Sequence, residues 1–168
     1  NSWFAWDSYR RFVQMFGNVV LGIESSLFES TLEDLKDARK VSEESELSVD
    51  DLTKLTDRYK ELIVESQGVI FPEDPWEQLW KSISAVFSSW NNERAYQYRN
   101  LNGFSHDWGT AVNIQSMVFG NMGVESGTGV CFTRDPSDGK NIFFGEFLMN
   151  AQGEDVVAGI RVPGPINE

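Results

Sequence analysis

The sequence predicts an α+β fold in which a helical region comes first and an antiparallel sheet follows. Up to about residue 108, apolar residues recur at the three-to-four-residue spacing of helices. From residue 109 onward, short alternating runs rich in β-forming residues are joined by tight turns. We therefore expect a helical region at residues 1–108 and a β-rich region at residues 109–168.

The first two predicted helices cover residues 7–23 and 30–40. The first carries an apolar face at helical spacing, formed by Tyr9, Phe12, Val13, Phe16, Val19 and Val20. In the second, Ser30 is followed three residues later by Glu33, which is the pattern of a capping box. Ser30 is therefore the expected N-cap of the second helix.

Three more helices are predicted before residue 108. Residues 48–68 carry one continuous apolar stripe: Leu52, Leu55, Tyr59, Leu62 and Ile63. Ser48 or Asp50 can cap the start of this helix, and Gly68 can end it. In residues 74–90, Pro75 suits a first helical position, with Leu79, Ile83, Val86 and Phe87 expected to face inward. Residues 91–100 form a shorter last helix, and the acidic residues of this region are expected on solvated faces.

Four strands are predicted in the β-rich region, at residues 110–120, 128–135, 141–149 and 156–161. A glycine-rich connector precedes the second strand, and residues 136–140 carry the proline and Asp-Gly signals of a tight turn. Short strands joined by such turns favour antiparallel pairing.

Composition limits the function classes. The net charge of −12 and the lack of a basic stripe argue against a nucleic-acid partner. Any phosphate site needs local Arg, Lys or Mg²⁺ to overcome this charge. No apolar run approaches the roughly 20 residues of a membrane span. The one cysteine, Cys131, excludes an internal disulfide, fits a reducing compartment, and is expected to be buried.

The most informative polar segment is residues 150–155, where Asn150, Gln152, Glu154 and Asp155 stand close together between two apolar runs. Amide and carboxylate oxygens suit Mg²⁺, which binds one or two carboxylates together with substrate phosphates. A polar turn between strands explains the same residues equally well. If the backbone is extended there, only one of the two adjacent carboxylates can face a given site.

Other polar features carry weaker signals. The glycine-rich residues 120–129 offer backbone amides for a phosphate but lack the lysine of a Walker A motif, so they also fit a simple loop. His106 is the only histidine, and without a second histidine or a cysteine cluster a zinc site is not expected. We expect His106 to have a loop or capping role, and most of the six tryptophans to serve packing.

Residues 109–123, 126–140 and 143–161 together resemble the pyruvate, phosphate dikinase family, and the helical segments resemble it in the same order. The resemblance implies an interior piece of the family's N-terminal ATP-grasp domain, namely its helical insertion and one lobe of the grasp. The family reaction is similar to ATP, phosphate and pyruvate giving AMP, diphosphate and phosphoenolpyruvate, through a phosphohistidine on a swivelling domain.

The resemblance also implies roles for particular residues, with ATP as substrate and Mg²⁺ as cofactor. Glu154 is the implied metal ligand, Asn150 and Gln152 are second choices, and Arg161 is a candidate phosphate or interdomain contact. Gln115 and Met117 match the strand that lines the adenine pocket, although a packing role for Met117 is equally open. Arg134 could contact phosphate or cap its turn.

The expected partners are the other ATP-grasp lobe and the swivelling domain of the same polypeptide, in an enzyme expected to be a homodimer. No catalytic residue is expected in this chain, which alone should be inactive; His106 has no phosphohistidine motif around it. The resemblance leaves the cytoplasm or an organelle such as a plastid or glycosome open.

The sequence leaves two alternatives open. One is a phosphoenolpyruvate synthase-type enzyme, which tends to carry Gly-Leu-Gly-Glu where this chain has Gln152-Gly153-Glu154. The other is a structural or docking module without a site. Many dikinases also carry Gln or Glu at the position of Gly164, so any role of that side chain is absent here.

Overall fold

A computed structural model of the chain describes residues 1–157 and 161–166. These residues form two compact units, unit 1 up to residue 114 and unit 2 from residue 115 onward. The first unit is helical, and the second contains a small antiparallel sheet with one short helix, so the α+β class is confirmed. Among the described residues, no helix combines the length and the apolar character needed to cross a bilayer.

Unit 1 contains five α-helices. They are α1 (Ser2–Met15), which continues into a π-helical turn (Phe16–Val20), α2 (Ser25–Arg39), α3 (Val49–Gln67), α4 (Pro75–Ser89) and α5 (Glu93–Asn102), with a 3₁₀ turn at Glu44–Glu46. Helix α1 packs along α3, and α2 packs against the same helix. The buried cluster between them includes Val13, Phe28, Leu52, Tyr59 and Ile63.

Helix α3 follows its sequence prediction closely. The Ser48 side chain accepts a hydrogen bond from the Asp51 N–H at the start, and Gly68 ends the helix in a left-handed conformation with φ +67°. All five residues of the predicted apolar stripe are buried. These signals are local, because capping and helical periodicity need no distant partner.

The prediction for α2 is wrong at its start. The helix begins at Ser25, and Glu24 occupies the N-cap position. The Ser30 hydroxyl donates instead to the Leu27 carbonyl, 3.2 Å away, so the predicted capping box with Glu33 does not form. Phe28 and Leu32, four residues apart on one face, are both buried. Because this buried face includes Phe28, the helix begins one turn before the predicted start.

Helix α4 begins as predicted, since Pro75 follows an Asp74 cap whose carboxylate accepts the Trp76 and Glu77 N–H groups. However, α4 has no buried residue, and the prediction that Val86 and Phe87 face inward is wrong. Its exposed surface is strongly apolar and includes Trp76, Trp80, Val86 and Phe87. The helix packs mainly against the π-helical turn, which is too short to cover it.

Unit 2 contains strands β1 (Gly127–Phe132), β2 (Phe144–Met149) and β3 (Gly164–Pro165), with the short helix α6 (Gly153–Val157) between β2 and β3. The sheet order is β1-β2-β3, and both pairings are antiparallel, as predicted. Between β1 and β2, the Asp135 N–H donates to the Lys140 carbonyl, 3.0 Å away. Gly139, with φ +75°, closes this turn.

Two predicted strands are not found. Residues 110–120 form no strand, because none of the described strands pairs with them and an unpaired segment has no ladder partner for its N–H and C=O groups. Residues 153–157 form helix α6, which takes Val156 and Val157 out of the predicted strand at residues 156–161. The middle of that prediction, residues 158–160, lies outside the described residues.

Cys131 is exposed, so the expectation of a buried thiol is wrong. Its neighbour Val130 packs against the small core of unit 2, formed by Leu148, Ala151 and Val156. Because successive side chains of a strand point to opposite faces, Cys131 points away from that core.

Candidate functional site

The candidate site is the corner where the chain leaves β2 and enters α6, residues 149–155, called here the β2–α6 corner. Asn150 turns the chain out of the strand in a left-handed conformation with φ +47°, which asparagine tolerates better than most residues. Its N–H donates to the Ser126 carbonyl, 2.7 Å away, and the Ala151 N–H donates to the Gly120 carbonyl, 3.0 Å away. The corner is thus held by the segment that precedes β1.

The loop at residues 120–126 approaches the corner closely. The Thr128 hydroxyl donates to the Ala151 carbonyl, 2.7 Å away. A Cβ on Gly120 would lie 2.0 Å from the Thr128 Oγ1 atom and 2.3 Å from the Ala151 carbonyl oxygen, so only glycine fits there. Within the loop, the Gly123 N–H donates to the Ser126 hydroxyl, and this hydroxyl donates to the Gly123 carbonyl. This part of the glycine-rich segment therefore serves close packing.

Gln152 points into the protein. Its side-chain nitrogen donates to the Asn121 Oδ1 atom, 2.9 Å away, and both residues are 7% exposed. The sequence predicts a site role for Gln152 but not for Asn121. The only local signal for Asn121 is an amide side chain directly after Gly120, and nothing in the sequence pairs it with a residue 31 positions away.

The two adjacent carboxylates have different surroundings, although the reason expected from an extended backbone is wrong, because these residues are helical. Asp155 is half-buried, and its carboxylate accepts the Gln152 N–H, 2.7 Å away, at the start of α6. Glu154 is exposed in the first turn of α6. Glu154 is therefore the carboxylate that an incoming ligand can reach.

Arg161 lies beside the same corner. Its guanidinium donates to the Asn150 carbonyl at 3.4 Å and to the Met149 carbonyl at 3.3 Å, and the residue is exposed. The structure thus brings Asn150, Gln152, Glu154 and Arg161, all predicted site residues, to one end of β2.

The remaining predicted residues lie elsewhere in unit 2. Arg134 is on the β1–β2 hairpin, where its guanidinium donates to the Gly139 carbonyl, 3.2 Å away. That hairpin is at the opposite end of β2 from the corner, about 17 Å away for a six-residue strand. Nearby, the Ser137 hydroxyl and N–H hold the pKa of Asp135 below its usual value. Gln115 and Met117 are exposed in the irregular segment before Gly120.

A metal ion would need ligands beyond protein carboxylates at this corner. Within residues 1–157 and 161–166, no group of three or more His, Cys, Asp or Glu side chains could hold one. Mg²⁺, however, commonly takes one or two carboxylates and completes its shell with substrate phosphates and water. The exposed Glu154 carboxylate, with the Arg161 guanidinium beside the corner, fits that kind of shared site.

His106 belongs to unit 1 and lies in a loop after α5, as expected. Its Nδ1 atom accepts from the Arg99 Nε–H, 2.9 Å away, and its ring stacks on Tyr96 at 4.6 Å. Arg99, only 4% exposed, also donates to the Trp90 carbonyl and lies over the Trp90 ring. These contacts tie the loop to α5, which gives His106 a structural role.

Comparison with known proteins identifies the family. Residues 8–166 match the family described as pyruvate phosphate dikinase, AMP/ATP-binding domain. The chain belongs to this family. The match includes both units and the whole described part of the β2–α6 corner, so the resemblance seen in the sequence is confirmed.

Curated relatives carry the same enzyme name. The chain is 57% identical over 165 residues to pyruvate, phosphate dikinase of Rhizobium meliloti (strain 1021), covering 98% of the chain and 18% of the relative. It is 58% identical over 160 residues to the chloroplastic enzyme of Mesembryanthemum crystallinum, covering 95% of the chain and 17% of the relative. It is 50% identical to the Clostridium symbiosum enzyme, covering 100% of the chain and 19% of the relative. The chain thus spans less than a fifth of the length of these relatives.

Proposed function

We propose that the chain forms part of the ATP-binding domain of a pyruvate, phosphate dikinase and supplies one lobe of an ATP-grasp fold. The enzyme would convert ATP, phosphate and pyruvate to AMP, diphosphate and phosphoenolpyruvate through a phosphohistidine on another domain. The observation that carries this proposal is the family match over residues 8–166. The matched part includes the β2–α6 corner, where Glu154 is exposed and the Arg161 guanidinium donates to the Asn150 carbonyl. The relatives compared above bear the dikinase name, which favours it over the synthase alternative.

In this proposal, the β2–α6 corner receives the phosphates of ATP. Glu154 would hold Mg²⁺ together with phosphate oxygens, and the bound ion would neutralise charge during phosphoryl transfer. Arg161 would donate to a phosphate oxygen, exchanging two long hydrogen bonds to carbonyl groups for a charge-assisted one. Asn150, exposed at the turn, would add an amide contact.

The adenine would lie against Gln115 and Met117, whose exposure in the segment before Gly120 suits a contact surface. Arg134 is the least suited of the proposed phosphate contacts, because its guanidinium caps the hairpin at the other end of β2. The chain's charge of −12 repels ATP, so Mg²⁺ and Arg161 must offset that field locally.

The other ATP-grasp lobe and the swivelling phosphohistidine domain would come from the same polypeptide, and the whole enzyme would be a dimer. A cytoplasmic or plastid enzyme would both agree with the relatives, some of which are named chloroplastic. One lobe alone cannot enclose the phosphates and exclude water. We therefore predict no phosphotransfer from ATP by the isolated chain, and turnover at the rate of a full-length enzyme would contradict this.

The decisive experiment is Glu154→Gln in the full-length enzyme, followed by isotope exchange for each half-reaction. Losing a ligand that neutralises transition-state charge costs on the order of 10²–10³ in rate, so the nucleotide half-reaction should fall by that factor. Exchange between pyruvate and phosphoenolpyruvate should persist, because that chemistry belongs to another domain.

Glu125→Gln is the matched control, since Glu125 is exposed in the loop at residues 120–126 and undergoes the same chemical change. Asp155→Asn is not a neutral control, because the Asp155 carboxylate caps α6. Equal losses in both half-reactions for Glu154→Gln would show a folding defect, and an unchanged nucleotide half-reaction would refute the metal-binding role.

A further inference from the structure

Four hydrogen bonds connect the β2–α6 corner to residues that lie before β1 or within it. Three of them involve the backbone of the corner, namely those from the Asn150 and Ala151 N–H groups and the one to the Ala151 carbonyl. The fourth joins two side chains, Gln152 Nε2 to Asn121 Oδ1 at 2.9 Å. Each of these bonds links positions more than 20 residues apart in sequence.

The amide pair is the only side-chain pair in that set, and it is buried. Asn121 and Gln152 are each 7% exposed, so little water reaches either amide. A buried amide that loses its partner pays the full cost of desolvation, whereas replacing both partners by apolar groups of the same shape can be nearly neutral. The pair therefore fixes where Gln152 sits more firmly than a surface hydrogen bond could.

The position of Gln152 determines the position of Glu154. The Gln152 N–H donates to the Asp155 carboxylate at 2.7 Å, and the Gln152 carbonyl accepts from the Asp155 N–H at 3.1 Å. These two bonds close the first turn of α6, and Glu154 stands inside that turn. A shift of Gln152 must therefore move the Glu154 carboxylate.

We propose that Asn121 and Gln152 are positioning residues that hold the Glu154 carboxylate in place, and that the Gln152 side chain contacts neither nucleotide nor metal. This inference rests on the metal-binding role proposed above for Glu154. It assigns a function to Asn121, and it replaces the direct ligand role that the family resemblance implies for Gln152.

The test uses near-isosteric variants in the full-length enzyme: Asn121→Leu, Gln152→Met and the double variant. Partners that orient a metal ligand typically change metal affinity or activity by about 10–100-fold when removed. Each single variant should therefore raise the Mg²⁺ concentration needed for half-maximal nucleotide exchange by about tenfold or more. The double variant should need less Mg²⁺ than Gln152→Met alone, because no amide of the pair then faces an apolar side chain in place of the other amide.

A second measurement does not depend on activity. Amide hydrogen exchange, followed on peptides that cover residues 145–153, reports the hydrogen bonds of Asn150 and Ala151. Exchange should become faster in both single variants and return toward the wild-type rate in the double variant. Asn141→Leu, the same change at an exposed position near the hairpin, should alter neither measurement.

Two results would overturn the inference. An equal Mg²⁺ shift in Gln152→Met and in the double variant, with hydrogen exchange unchanged, would show that Gln152 itself touches the ligand. If a single variant does not fold, the exchanged pair Asn121→Gln with Gln152→Asn keeps both amides and the total volume; it should fold and keep Mg²⁺ dependence within about threefold of wild type, and a larger shift would refute the pair's role.

Failure of the underlying function would look different. If Glu154→Gln left nucleotide exchange unchanged while the single variants still accelerated hydrogen exchange, the corner would be held as described but would not bind the metal. That combination would refute both the proposed function and the positioning role, and it cannot be confused with a direct role of Gln152.

Discussion

The two units of the chain are stabilised in different ways. Unit 1 buries twelve hydrophobic residues in one cluster beneath its helices. In the described part of unit 2, the corresponding cluster contains three: Leu148, Ala151 and Val156. Since burial of apolar surface is the dominant favourable term in folding, unit 1 has the larger reserve of stability.

Unit 2 relies more on its backbone. Its corner is held by hydrogen bonds between distant segments and by an approach at Gly120 that leaves no room for a Cβ atom. Such regions, with few buried apolar contacts, tend to open locally at lower free energy than a helical core. The proposed ligand site thus belongs to the unit in which small changes of geometry cost least, and ligand binding there would add stability.

Unit 1 also buries charge in a way that unit 2 does not in its described residues. Asp7 and Arg10 are 1% and 2% exposed, and the Arg10 guanidinium donates to Asp7 at 2.8 Å and to Glu44 at 2.6 Å. The expectation that acidic residues line solvated faces is therefore wrong at Asp7. Buried ion pairs gain little net stability, but they are costly to break, so this cluster favours one arrangement of α1 and the 3₁₀ turn.

The largest effect should come from Phe28→Ala in unit 1. Phe28 is fully buried, packs edge-to-face on Tyr59 at 5.0 Å, and its carbonyl accepts the Tyr59 hydroxyl, whose pKa burial raises to about 12. Removing a buried phenylalanine ring typically costs about 3–5 kcal/mol of unfolding free energy. Denaturant titration followed by tryptophan fluorescence should show this loss.

The control for Phe28→Ala lies on the same helix. Leu27→Ala, one position earlier on α2 but 42% exposed, should change the unfolding free energy by less than about 0.5 kcal/mol. Hydrogen exchange at Ala151 in unit 2 should be the same in both variants below the denaturation midpoint. Faster exchange there in Phe28→Ala would mean that the two units do not unfold independently.

A smaller effect, confined to unit 2, is expected for Gly120→Ala. The added methyl group would meet the Ala151 carbonyl oxygen and the Thr128 hydroxyl well inside contact distance. Overpacking of this kind typically costs about 1–3 kcal/mol, and it should loosen the corner without affecting the fluorescence transition of unit 1. Hydrogen exchange at Asn150 and Ala151 measures the effect.

Gly153→Ala is the matched control at the same corner. A Cβ on Gly153 would meet only the Thr128 Cγ2 atom at 3.9 Å, which is an ordinary contact. Alanine also favours the helix that Gly153 begins. If Gly153→Ala loosened the corner as much as Gly120→Ala, the close approach at Gly120 would not be the cause.

The sequence predicts unit 1 better than unit 2 for a physical reason. The start, end and buried stripe of α3 depend on residues within one or two turns, and all of them were predicted. Strands depend on partners instead, so the alternating residues 110–120 could not reveal that no described strand pairs with them. The same dependence led to a strand being predicted where α6 forms.

The candidate site shows a similar division. Residues such as Glu154 and Asn150 can be proposed from their side-chain chemistry and from family resemblance. Their surroundings cannot, because the contacts of Gln152 with Asn121 and of Ala151 with Gly120 join segments 31 residues apart. Position in sequence suggested that Glu154 and Asp155 differ by strand alternation, whereas the structure distinguishes them by a helix cap.

The smallest predicted effect is in unit 1, at the N-terminus of α3. The Asp51 carboxylate accepts from the Ser48 hydroxyl at 2.6 Å and from the Arg39 Nε–H at 2.6 Å. These contacts, the Ser48 hydroxyl first, hold the pKa of Asp51 below its usual value, although burial acts in the opposite direction. The folded-state pKa is thus lower than the unfolded value of about 3.9, so the stabilisation is present above that pH and is lost as the pH falls through the folded-state pKa.

Asp51→Asn should cost about 1 kcal/mol of unfolding free energy at pH 7, and the difference from wild type should shrink toward pH 3. Asp50→Asn changes the neighbouring, exposed carboxylate, which pairs only with Lys54 among its described contacts, and should cost less than about 0.5 kcal/mol at either pH. Denaturant midpoints for both variants at pH 7 and pH 3 provide the test, and a loss in Asp51→Asn that is equal at the two pH values would show that the charge of Asp51 does not stabilise the helix.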